Sequence, residues 1–174
     1  LAAASSRCRA WHIARCVATG VPATRSAAVS SVSPERSSFC SPPACEAAGE
    51  VGLTDPSRIR RVELRTPAMP YIDRPRPDTG LDGKFSWQYP AAVALLDGEV
   101  GPASFTDARR FSGDIVDILD RIVLIGDAAI SGRMDRMHVA IMVELDDATC
   151  ITRRCDAPVG SWSRPVPPDR LVRA

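Results

Sequence analysis

Met137 to Cys155 reads MHVAIMVELDDATCITRRC. Met137, Val139, Ile141, Val143 and Leu145 occupy alternate positions, and successive strand side chains point to opposite faces, so one face of this run is apolar. Asp146-Asp147-Ala148 breaks the alternation with turn-forming residues. Thr149–Cys155 then returns as the antiparallel arm of a hairpin. Such a hairpin is half a core, and its apolar face requires a second layer.

The chain upstream supplies that layer. Arg58–Thr66 alternates, with Val62 and Leu64 on one face and Arg61, Glu63 and Arg65 on the other, which is a strand pattern. Thr54 or Asp55 caps a short turn with Pro56 at its first position. Pro67, Pro70, Pro75 and Pro77 make Pro67–Asp78 an extended segment, and Thr79–Gly83 supplies a turn. Ser86 caps the next helix, Pro90 stands in its first turn, Ala91–Leu96 continues it and Gly98 ends it. Ser104–Arg110 reads as a short helix. Ser112 can cap another, Gly113–Asp120, with Ile115, Ile118, Leu119 and Ile122 as its apolar stripe. Arg121–Ile125 leads into a strand. Helices mixed with strands and a hairpin predict an α+β fold, a small mixed sheet with helices on one face.

Residues 1–53 differ in composition. They are rich in Ala, Ser, Arg and Pro, and Ser26–Pro43 has neither helical nor strand periodicity. The expected organisation is a poorly ordered, largely irregular extension over 1–53, a small α+β domain over 54–160, and the start of a truncated helix over 161–174. For the extension, a disrupted coding remnant and an Arg- and Ser-rich targeting peptide both stay open. The first residue is Leu, which is consistent with a piece of a longer protein.

The formal net charge is +1, with 25% charged and 45% hydrophobic residues. Such a balance creates no long-range field for nucleic acid or an anionic membrane, and neither is expected as a partner. No apolar run approaches the roughly 20 residues of a bilayer span. Cys150 and Cys155 differ by an odd number and face opposite sides of one strand, so they do not bond each other. The cysteines read as thiols of a reducing compartment, and a cytoplasmic location is expected.

Lys84 is the only lysine among 22 Lys and Arg residues. Codon bias explains that blandly; a compact ammonium facing a ligand explains it sharply, because Lys and Arg are not equivalent at close-fitting sites. The blocks around it carry a resemblance: Arg74-Pro75-Arg76-Pro77, Gly80-Leu81-Asp82-Gly83-Lys84-Phe85-Ser86, Gln88-Tyr89, Ala94-Leu95-Leu96-Asp97-Gly98, Phe105-Thr106-Asp107 and Trp162-Ser163-Arg164-Pro165. In order and spacing they resemble the MmgE/PrpD family, which includes 2-methylcitrate dehydratases, cis-aconitate decarboxylases and an epimerase. The resemblance runs from about Gly52 to Leu171. It implies the C-terminal part of a cofactor-independent lyase acting on a tricarboxylate, with a large helical domain closing over this small one and a homodimer as the intact assembly. It also implies that this portion is inactive alone. The alternative is a non-catalytic α+β binding or interaction module, or a gene remnant.

Dehydration or decarboxylation of a tricarboxylate needs a proton donor or acceptor and cations that hold carboxylates. The resemblance implies that Tyr89 matches a family tyrosine at the cleft, its phenol aimed toward an opening, as a catalytic candidate. His12, in Cys8-Arg9-Ala10-Trp11-His12, is the other, against the bland reading of an unstructured remnant. Lys84, Ser86, Gln88, Arg74 and Arg76 are candidate substrate-binding residues, the arginines as bidentate carboxylate clamps. The bland reading has Phe85 and Trp87 anchoring the turn in the core, with Lys84, Gln88 and Tyr89 as surface or capping residues. Cys8, His12 and Cys16 share a helical spacing, but a zinc site needs a fourth ligand and a rigid scaffold, and no metal is expected. Asp114, Asp117 and Asp120 read as a helix polar face, with Asp117 placed to pair with Arg121. His138 points away from the apolar stripe of its strand and reads as solvated or packed rather than catalytic.

Overall fold

The computed structural model describes residues 43–49, 51–53, 55–133, 135–158 and 160–166. The described elements in chain order are α1 (Pro43–Gly49), β1 (Ile59–Pro67), α2 (Gln88–Asp97), α3 (Asp107–Arg110), α4 (Gly113–Leu119), β2 (Ile122–Asp127), β3 (Val139–Leu145) and β4 (Cys150–Cys155), with short 3-10 turns between them. The strands form a four-stranded sheet in the order β2-β1-β3-β4. β1 and β2 run parallel, while β1–β3 and β3–β4 are antiparallel. This is the expected α+β architecture with a mixed sheet.

Register follows the alternation. Val62 lies opposite Val143 and Leu64 opposite Ile141. All of these are 0% exposed and share the core face with Val139. Burial of each such aliphatic side chain stabilises the fold by roughly 1.5–3 kcal/mol. The other face of β1 carries Arg61, Glu63 and Arg65, with Arg61–Glu63 at 2.9 Å and Arg65–Asp127 at 3.1 Å. The hairpin turns through Ala148 at φ 64°, left-handed backbone, and Arg58 holds the turn through Asp146 at 3.0 Å and Asp147 at 2.5 Å.

Two of the three expected N-terminal caps form; Ser112 stands at the N-cap of α4, but its side chain makes no cap bond there and its Oγ donates to the Arg109 carbonyl at 2.7 Å instead. The Asp55 side chain accepts from the Ser57 amide at 3.0 Å. Ser86 Oγ accepts the Tyr89 amide at 3.0 Å, satisfying an N-terminal donor of α2. Gly98 closes α2 at φ 76° and donates its N–H to the Ala94 carbonyl. α2 is buried from Gln88 through Leu95, so it is the central helix, flanked by α1 and α4 and reaching β2. Ile115, Ile118 and Leu119 face inward from α4 as expected. Arg121 does not meet Asp117; its Nη1 donates to the Ile59 carbonyl at 2.6 Å, which ties α4 to the start of β1.

Order begins earlier than composition predicts. α1 lies inside the segment expected to be irregular, with Ala44, Ala47 and Ala48 buried against α2 and over β3 and β4. A helix this short has no stability of its own. Alanines at helical spacing let it approach its neighbours closely, so tertiary burial creates it. A helix is expected to start over 161–174, but Ser161 and Arg164 pair across a turn that exposes Trp162 fully, so residues 161–166 are not helical, and residues 167–174 lie outside the described residues. Cys150 and Cys155 stand at opposite ends of β4, the first exposed and the second buried. Among the described residues no helix is long and apolar enough to cross a membrane.

Candidate functional site

The segment between β1 and α2 is built from prolines and two tight glycines. Pro70–Ile72 and Asp82–Phe85 form 3-10 turns. Ile72 is buried, and its carbonyl accepts the Trp87 amide at 3.2 Å, which joins the two ends of the loop. Gly80 donates its N–H to Asp107 Oδ1 at 2.8 Å. A Cβ on Gly80 would lie 2.3 Å from the Thr106 carbonyl carbon, and one on Gly83 would lie 2.3 Å from Tyr89 Cδ1. Only glycine allows the loop to sit this close to the helical layer.

Tyr89 is the pin on which the loop turns. It is 0% exposed. Its hydroxyl donates to the Ser104 carbonyl, and its ring lies 6.1 Å from the Phe105 ring, tilted by 57°. Burial pushes the phenol above its ordinary pKa, while Arg109 and Arg110 pull it back. The expectation of a phenol aimed at an opening is therefore corrected. The missing Cβ of Gly83 leaves a slot that the ring fills, and a carbonyl in the slot satisfies the hydroxyl.

Ser86 and Gln88 are buried as well, at 0% and 1% exposed. Ser86 Oγ donates to Gln88 Oε1 at 3.4 Å, and Gln88 Nε2 donates to Asp73 Oδ1 at 2.6 Å. Their polar atoms are used inside the loop, which they hold in shape.

The outer surface belongs to Arg74, Arg76, Lys84, Tyr71, Leu81 and Phe85, all exposed. Phe85 does not anchor the turn. Its ring is 59% exposed and carries the Arg74 guanidinium at 5.6 Å, whereas Trp87 packs against the core. Arg76 Nη2 pairs with Asp120 Oδ1 at 2.6 Å. Lys84 lies over the Phe105 ring at 5.6 Å. Arg74, Pro75, Arg76, Pro77, Asp78 and Asp82 line an open groove of about 400 Å³. The structure thus brings Arg74 and Arg76 together at one groove, sets Lys84 outside its lining, and places Ser86, Gln88 and Tyr89 behind it. His12 lies outside the described residues. His138 is half-buried beside β3, its pKa lowered by burial and then by Arg154.

Two residues that shape the site escape the sequence reading. Arg109 joins Asp97 at 2.7 Å to Asp114 at 2.8 Å, and Arg110 Nε donates to the Pro77 carbonyl at 2.8 Å. Their partners lie far along the chain or on other helices, and no local spacing signals them.

The pattern of the family described as MmgE/PrpD C-terminal domain matches residues 37–173. The chain is 30% identical over 122 residues to the mouse (Mus musculus) protein named cis-aconitate decarboxylase, covering 70% of this chain and 25% of that protein. It is 28% identical over 122 residues to the human (Homo sapiens) protein of the same name, with the same coverage. The chain therefore spans about a quarter of the length of these curated relatives. The match extends over residues 37–173, and this chain belongs to the MmgE/PrpD family as its C-terminal domain.

Proposed function

We propose that this chain is the carboxylate-gripping portion of a lyase that acts on a tricarboxylate, by decarboxylation of a cis-aconitate type or dehydration of a 2-methylcitrate type. The observation that carries the reading is the meeting of Arg74 and Arg76 at one groove, on a loop fixed from behind by Tyr89 and Gln88. The similarity to proteins named cis-aconitate decarboxylase supports it. Guanidinium groups on a rigid loop hold carboxylates with little entropy lost on binding. Arg74 leans on Phe85 and among the described residues pairs with no carboxylate, so it is the stronger grip; Arg76 is shared with Asp120. Lys84 adds positive charge beside the groove.

Proton transfer is assigned to residues beyond this loop. Tyr89 is enclosed, and Asp78 and Asp82 repel an anionic substrate rather than hold it. The chain alone then binds weakly and does not turn substrate over. Isothermal titration and amide NMR with cis-aconitate test this. The expected result is a response centred on Arg74, Arg76 and Phe85, abolished in Arg74→Ala/Arg76→Ala, with no carbon dioxide released and no unsaturated product formed. A response elsewhere, or one that survives the double substitution, removes the proposal.

A second reading rests on Tyr71, Leu81 and Phe85, exposed at 66%, 60% and 59% along the same loop. Exposed apolar side chains this dense mark an interaction surface. Concentration-dependent association that Leu81→Glu and Phe85→Glu suppress, without any cis-aconitate response, favours this reading over the first.

A further inference from the structure

Two strands bound the sheet, and they are finished differently. β4 presents the exposed side chains of Thr152, Arg153 and Arg154. β2 reads Ile122-Val123-Leu124-Ile125-Gly126-Asp127, with no proline, no cation and one charge, at its last residue. Its register against β1 is unbroken from Ile122 to Asp127, and Val123 is 42% exposed. An apolar edge strand without proline, bulge or guarding charge is a template for another strand.

The pairing with β1 shows which backbone groups β2 leaves over. The Val62 amide donates to the Arg121 carbonyl at 2.9 Å, and Val62 lies opposite Ile122. In a parallel ladder, alternate residues of a strand direct both N–H and C=O to the same neighbour. Arg121, Val123, Ile125 and Asp127 therefore serve β1, and Ile122, Leu124 and Gly126 direct theirs to the open side. Among the described residues nothing bonds to those groups there.

Symmetry and charge select the occupant. Two copies that meet through the same edge about a twofold axis run antiparallel. Centred on Leu124, that pairing sets Leu124 against Leu124 of the second copy and Ile122 against Gly126. These are the residues with outward N–H and C=O, so each pair exchanges two bonds, about six in all. On the face away from the helices, where β2 lies beside Glu63 and Arg65, Val123 meets Ile125 and loses its exposure. Arg121 meets Asp127 at both ends, opposite in sign, with no charge between them. A shift of two residues sets Asp127 against Val123 or Leu119 and loses that match. We propose that β2 pairs with β2 of a second copy of this chain, antiparallel and centred on Leu124, so that two sheets become one. The inference rests on neither reading of the loop.

Sedimentation equilibrium of the full chain, with amide hydrogen exchange at low and high concentration, tests it. A monomer–dimer equilibrium is expected. With nine-tenths of the chain dimeric, the Leu124 and Gly126 amides should exchange roughly tenfold more slowly, while Val123 and Ile125, already bonded to β1, change little. Val123→Lys charges the exposed edge and leaves the ladder to β1 intact; it should weaken the dimer at least roughly tenfold. Leu81→Glu with Phe85→Glu, on the loop surface, should leave it unchanged. A chain monomeric at every concentration, a dimer whose Leu124 and Gly126 amides stay unprotected, or one that survives Val123→Lys but not the loop substitutions each overturns the assignment.

Discussion

At the scale of single residues, the loop is governed by atoms that are absent. Gly83 lacks the Cβ that would meet the Tyr89 ring at 2.3 Å. Gly83→Ala is expected to destabilise the fold by roughly 1–3 kcal/mol, the cost of overpacking, read as a lower urea midpoint at unchanged slope. Tyr89→Phe keeps the ring and removes only its donor. The Ser104 carbonyl it serves is then left without that partner, and a loss of roughly 1–2 kcal/mol follows. Arg74→Ala, by contrast, removes an exposed cation and should change stability by less than about 0.5 kcal/mol. The contrast separates residues that hold the loop from residues the loop presents. A Tyr89→Phe variant as stable as the parent would show that the buried hydroxyl contributes nothing.

At the scale of elements, Arg109 links the helical layer. It reaches from α3 to Asp97 at the end of α2 and to Asp114 in the first turn of α4, with Ser112 Oγ accepting at 2.6 Å. Both carboxylates are partly exposed, so the net gain is modest, and Arg109→Ala should cost roughly 1 kcal/mol. The network also sets a pH dependence. The hydrogen bond from Arg109 comes first among the causes that hold the Asp114 carboxyl at about 2, below its ordinary 3.8. A carboxylate depressed in the folded state contributes fully above 3.8 and loses that contribution as pH falls toward 2. The parent should therefore lose more melting temperature than Arg109→Ala between pH 5 and about 2.5, and equal losses would exclude Arg109 as the cause.

At the scale of the whole molecule, the sheet should be most stable at its middle. β1 and β3 are paired on both sides, while β2 and β4 are edges. The exposed side chains of Thr152, Arg153 and Arg154 on β4 discourage pairing with another chain. Hydrogen exchange should be slowest for Val62, Leu64, Ile141 and Val143 and faster in β4; slowest exchange in β4 would place the stable centre elsewhere. The sequence by itself determined the strands of the hairpin, the capped ends of α2, the apolar stripe of α4 and the family, because alternation, caps and turn residues act between near neighbours. Only the tertiary structure decided the order β2-β1-β3-β4, the folding of α1 onto α2, the enclosure of Tyr89 and the tie from Arg110 to the Pro77 carbonyl. Each of those rests on contacts between distant positions, such as Gly83 with a ring, Ser104 with a hydroxyl and Pro77 with Arg110, and a linear spacing carries no record of which distant atoms will fill a space.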